Sequence, residues 1–202
     1  MFYNCFYGII KMVCCAFCVT IVGASGVYAG DDMAEGSVSF FYTGGSDKLE
    51  VRNIFDIDAV QLDRVNAITL VNQEPDDQFT WFWDIFFRSR NLDSLSFIGC
   101  SFLGWSTLDM LYDSSITSLT VSNCGLVAEQ ANEILRYAYS GRTRNIDLSD
   151  NLLGQNGQLF RKGLSGVYLE TLNISGNNFD QEVIDGITSD NKAYKSIGQI
   201  IF

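Results

Sequence analysis

Apolar residues return along this chain in one register, Leu-x-x-Leu-x-Leu-x-x-(Asn/Cys)-x-Leu, in five stretches. They read VNAITLVNQEP from Val65, LDSLSFIGCSF from Leu92, ITSLTVSNCGL from Ile116, TRNIDLSDNLL from Thr143 and LETLNISGNNF from Leu169. A truncated sixth copy, IGQIIF, starts at Ile197, and successive starts lie 27, 24, 27, 26 and 28 residues apart. Self-similarity at this interval marks a stack of units, each packed only on its neighbours. Within a copy the alternation predicts a short strand with one buried face. The inward pairs are Ile68/Leu70, Leu95/Phe97, Leu119/Val121, Ile146/Leu148 and Leu172/Ile174. Each buried aliphatic contributes about 1.5–3 kcal/mol. One unit alone therefore cannot offset its chain entropy, whereas six can share a core.

After each strand stands an Asn or Cys (Cys100, Cys124, Asn151, Asn177), where the chain turns away from the sheet. An Asn side chain there can satisfy turn backbone groups that would otherwise be buried without partners. The first copy has Gln73 and Pro75 in place of the Asn and the last apolar residue, the irregularity expected of a terminal repeat. Between strands the spacing becomes helical over residues 77–90, 106–113, 128–139, 155–164 and 180–187. Ser106 and Asp180 occupy N-cap places, and Gly141 and Gly166 places where helices stop. Ahead of the repeats, residues 30–37 read as a lead-in. Residues 37–42 and 48–54 then read as a β-hairpin that covers the edge of the first repeat.

These five in-register copies resemble the leucine-rich repeat family over residues 65–202, with repeat lengths nearest the ribonuclease-inhibitor-like and cysteine-containing subclasses. The resemblance implies an α/β solenoid, a horseshoe with a parallel sheet on its concave side, helices on its convex side and the N-terminal hairpin as a cap. It also implies binding of other proteins without catalysis.

Residues 1–29 read as a signal peptide. Lys11 is the one charge before Asp31, residues 12–24 are an apolar run, and Val27-Tyr28-Ala29 offers a cleavage site before Gly30. The alternative is an uncleaved membrane anchor, the one route to membrane association, since 12–29 is barely too short to span. A secreted or cell-envelope location follows from either. Residues 30–64 then form the lead-in and hairpin, and 65–202 the five full repeats and the truncated one.

The chain carries 13 basic and 24 acidic residues, a net charge of −11, and a surface that acidic repels phosphate backbones. Nucleic acid is not an expected partner. Four of the six cysteines lie in the first 29 residues, leaving Cys100 and Cys124 at the same place in consecutive repeats. Adjacent strands lie about 4.8 Å apart, inside the window for bridged α-carbons, yet side chains that point in parallel make poor disulfide geometry. Two buried thiols are the favoured expectation and a disulfide the alternative.

There is no His, which removes the usual general base, metal ligand and Ser-His or Cys-His dyad. No Gly-rich phosphate loop occurs, and beyond residues 1–29 there is no zinc-spaced Cys pair, so no metal and no cofactor are expected. Asp147 and Asp150 form the one carboxylate pair that could do acid–base work, which leaves a hydrolase as the alternative from another class. Solvated polarity and a turn-forming Asp are the plainer account. Asn173-Ile-Ser175 is a glycosylation sequon placed on a strand and is read as coincidence.

The outward strand positions form three small, polar columns. They run Ala67, Ser94, Ser118, Asn145, Thr171; then Thr69, Ser96, Thr120, Asp147, Asn173; then Val71, Ile98, Ser122, Ser149, Ser175. The expected protein-binding residues are Thr69, Val71, Ser96, Ile98, Thr120, Ser122, Asp147, Asp150 and Asn173. The face is apolar near Val71 and Ile98 and acidic at Asp147 and Asp150, which suits a basic partner. A second candidate patch is Trp81, Ile85 and Trp105, off the apolar arc of the first helical segment and its neighbour. The expected function is that of an exported, non-catalytic protein-binding module, with a secreted effector or enzyme inhibitor blocking one target as the nearest alternative.

Overall fold

The computed structural model describes residues 37–42, 48–50, 64–72, 91–100, 116–138 and 142–202. They build an α/β structure around one eight-stranded sheet. Its strands are β1 (Ser37–Tyr42), β2 (Lys48–Glu50), β3 (Val65–Val71), β4 (Ser94–Ile98), β5 (Ser118–Ser122), β6 (Asn145–Asp147), β7 (Leu169–Asn173) and β8 (Ile197–Ile201). The spatial order is β2-β1-β3-β4-β5-β6-β7-β8. From β3 to β8 every neighbouring pair is parallel, six strands in all. β1 pairs antiparallel with both β2 and β3, so two strands extend the sheet beyond the first repeat.

The pairing keeps the sequence register. Ile68, Leu95, Leu119, Ile146, Leu172 and Ile200 are successive partners across the six parallel strands. From β3 to β7 these residues are almost wholly buried, as are Leu70, Phe97, Val121, Leu148 and Ile174 two places on. Alternation along each strand thus becomes two apolar rows across the sheet, because successive side chains of a strand point to opposite faces.

Among the described residues the helices are α1 (Ala128–Ala138), α2 (Gly157–Gly163), preceded by a 3-10 turn at Leu153–Asn156, and α3 (Gln181–Tyr194). Their inner residues Ala131, Ile134, Leu135, Phe160, Val183 and Ile187 join the strand rows in one apolar cluster. Phe160 of α2 packs against Phe179, with ring centroids 5.5 Å apart. The helical segments expected at 77–90 and 106–113, with the Ser106 cap and Gly141, lie outside the described residues.

Two local expectations change. α3 runs one and a half to two turns past residue 187, to Tyr194, and is closed by Lys195 in the left-handed conformation (φ 50°). Asn191 explains the extra length, since its Nδ2 donates to the Ile197 carbonyl and its Oδ1 accepts the Ile197 N–H, tying the end of α3 to β8. Asp180 stands at the N-cap of α3 with extended backbone, but its side chain makes no capping hydrogen bond.

Candidate binding face

The turn after each strand sets the shape of the open face. The residue eight places into each repeat is Asn72, Gly99, Asn123, Asp150 or Gly176, and all five have positive φ, from 51° to 72°. Only Gly, Asn and Asp enter this region readily, so the sequence uses nothing else there. Four of these turn N–H groups donate to a carbonyl of the next repeat: Asn72 to Ile98, Gly99 to Ser122, Asn123 to Ser149 and Asp150 to Ser175, at 2.8–3.1 Å. The signal was present in the sequence as a column restricted to three residue types, beside the more conspicuous Asn/Cys column.

That neighbouring column is a hydrogen-bonded ladder. Asn151 Nδ2 donates to the carbonyls of Val121, Leu148 and Ser149, and its Oδ1 accepts the N–H groups of Cys124 and Leu126. Asn177 repeats the arrangement one unit later, donating to Leu148, Ile174 and Ser175 and accepting from Asn151 and Leu153. Cys124 Sγ keeps the donor half of this role, toward Phe97 O (3.6 Å) and Ser122 O (3.2 Å). Cys100 Sγ does the same toward Leu70 O and Ile98 O, both at 3.6 Å. Both cysteines are thiols, not a disulfide; Cys100 is buried as expected, whereas Cys124 is only half-buried. A hydrogen bond with the Cys100 thiol, and then burial, push the Cys124 thiol well above the usual range.

With one face buried, the other carries the expected columns side by side. Ala67, Ser94, Ser118, Asn145 and Thr171 are successive partners, and the row continues to Gln199. Thr69, Ser96, Thr120, Asp147 and Asn173 form the next, continuing to Ile201. Val71, Ile98 and Ser122 begin the third. Of the expected binding residues, Thr69, Val71, Ser96, Thr120, Ser122, Asp147 and Asn173 are half-buried, while Ile98 and Asp150 are exposed. Ser149 extends the third column, its hydroxyl lying 3.0 Å from Ser122 Oγ, but unlike Ser122 it is buried. Trp81, Ile85 and Trp105 lie outside the described residues.

Asp147 is engaged in the turn. Its Oδ1 accepts the Ser149 N–H at 2.9 Å, as Asn173 Oδ1 accepts the Ser175 N–H at 3.2 Å one repeat later. An Asn filling the same place with the same bond marks this as a turn-forming role that needs no charge. Asp150 is held by its own turn, one residue past Ser149, and its carboxylate occupies the space beside Gly176. Along the edge where the strands begin, Thr117 Oγ1 donates to Asp93 Oδ1 (2.6 Å) and Arg144 pairs with Glu170 (2.8 Å) across adjacent strands.

Among the described residues, no group of three or more His, Cys, Asp or Glu could hold a metal ion, and no helix is long and apolar enough to cross a membrane. In comparison with known proteins, no family model and no curated protein matches the chain.

Proposed function

We propose that the chain is an exported, non-catalytic leucine-rich-repeat protein, a curved solenoid that binds another protein on its outward sheet face. The observation that carries this is the lateral register of the polar columns on six parallel strands, with the opposite faces of β3 to β7 buried. A wall of small side chains lets a partner's backbone and side chains approach closely. Its exposed anchors are aliphatic at Ile98 and acidic at Asp150. It holds no Trp, Tyr or Arg within the columns, so the partner supplies the large anchoring groups, and basic ones complement Asp147 and Asp150. In this reading β1 and β2 cap the first repeat, residues 1–29 direct export, and the Asp147 turn bond speaks for structure over acid–base chemistry.

The test is site-specific photocrosslinking of the full chain in its native host. A photoreactive residue at Ser96 or Thr120 should capture one and the same protein, and one at Glu133, exposed on α1, should not. Capture equal from both sides, or none from the sheet face, removes the proposal.

A further inference from the structure

The two ladder thiols have a chemistry that the turn does not require. Cys100 and Cys124 each follow the outer end of a strand by two residues, on neighbours paired Ile98 to Ser122. The Gly99 N–H continues that pairing to the Ser122 carbonyl at 2.9 Å, so the strands are still side by side where the cysteines begin. Paired strands put equivalent α-carbons about 4.8 Å apart, within the roughly 4.4–6.8 Å that a disulfide spans. Cys124 Sγ also leans over the partner strand, reaching Phe97 O at 3.6 Å. Cys124 is half-buried, whereas Cys100 is 2% exposed.

We infer that Cys100 and Cys124 are a redox modification site, a dithiol oxidised to a disulfide by exchange with a low-molecular-weight disulfide of the glutathione type. Cys124, as the thiolate, attacks one sulfur of that reagent, forming a mixed disulfide and releasing one small thiolate. Cys100 then loses its proton to water and attacks Cys124 Sγ, forming the Cys100–Cys124 bond and expelling the second small thiol. Two protein thiols are oxidised and one small disulfide is reduced, so electrons and atoms balance. The raised titration range of Cys124 makes the first step slow at neutral pH and faster as pH rises. Closing the bond removes both S–H donors from the carbonyls of Leu70, Ile98, Phe97 and Ser122. Parallel side chains also strain the bridge, and a strained disulfide is readily reduced.

The experiment equilibrates the folded full chain with glutathione buffers at pH 8, quenches with acid and maps the peptides. Cleavage before Asp109 and Asp113 separates the two cysteines, so a bridge leaves one linked product. The linked product should dominate when glutathione disulfide prevails. An excess of about ten-fold reduced glutathione should return it to thiols. In Cys100→Ser, Cys124 should stop at the mixed disulfide, and in Cys124→Ser, Cys100 should stay unmodified. Both cysteines remaining thiols in the oxidising buffer, or Cys124 halting at the mixed disulfide in the unaltered chain, overturns the inference.

Discussion

At the scale of the residue, Asn and Cys in one column are unequal substitutes. Asn151 serves five backbone groups, three as donor and two as acceptor, whereas the cysteine thiols serve two carbonyls each by the bonds seen here. Asn151→Ala should therefore cost about 3 kcal/mol, because buried donors and acceptors lose their partners together. Asn151→Cys should cost less, since the donor half survives. Urea unfolding of the two variants orders them, and an alanine as stable as the cysteine would contradict the ladder. The adjacent left-handed column makes a separate demand. Asn123→Gly should leave stability nearly unchanged, while Asn123→Ala should lose about 1 kcal/mol from backbone strain at φ 53°, read as a lower thermal midpoint. The thiol column also carries a pH signature. Cys124 titrates higher folded than the ~8.5 of an unfolded thiol. Its contribution is complete below that pH and is lost as pH rises toward the folded value, because the unfolded chain releases a proton that the folded chain keeps. Between about pH 8.5 and 10 the unaltered chain should lose stability more steeply than Cys124→Ser, measured as the shift in urea midpoint.

At the scale of the element, strands were more legible in the sequence than helix ends. A strand with one buried face prints a two-residue alternation, so Leu95/Phe97 and Leu119/Val121 announced both the element and its register. The end of α3 printed nothing comparable. Its last turns carry Thr188, Ser189, Asp190, Asn191 and Lys192, polar residues that read as loop, and the clamp from Asn191 to Ile197 that retains them as helix is a tertiary contact. Ser149 keeps its place beside Ser122 in the third column, but alternation alone did not show that it would be covered. α2 and α3 are joined by Arg161 and Asp190, with Nε to Oδ2 at 2.7 Å and Nη2 to Oδ1 at 3.2 Å. The hydrogen bond from Arg161 holds the Asp190 carboxyl below its usual range. A depressed folded value makes the contribution complete above the ~3.9 of an unfolded Asp, and lost as pH falls from there through the folded value. Asp190→Asn should thus lower the thermal midpoint slightly at pH 7 and match the unaltered chain near pH 2, the pair being largely solvent-screened. A difference that persists undiminished at pH 2 would assign the effect to packing.

At the scale of the whole molecule, the sheet is contiguous while its contacts are local. Each strand from β4 to β7 pairs only with the strand before and the strand after, and α2 lies between α1 and α3 in the helical layer. In such a structure stability is close to a sum of unit terms and interfaces between neighbours, so the effect of a lesion depends on how many interfaces it touches. Leu119 on β5 packs in an inner row with strands on both sides, whereas Ile197 begins β8, whose one described neighbour is β7. Truncating either to Ala deletes a buried aliphatic and costs about 2–5 kcal/mol locally, yet the two losses should spread differently. Native-state hydrogen exchange on Ile197→Ala should deprotect β8 and α3 and leave β3 to β5 close to their original rates. Leu119→Ala should raise exchange in β4, β5 and β6 together, because the stack is opened from the middle. Equal deprotection of β3 to β5 in both variants would mean that the sheet unfolds as one cooperative unit, and the additive account of stacked repeats would then fail.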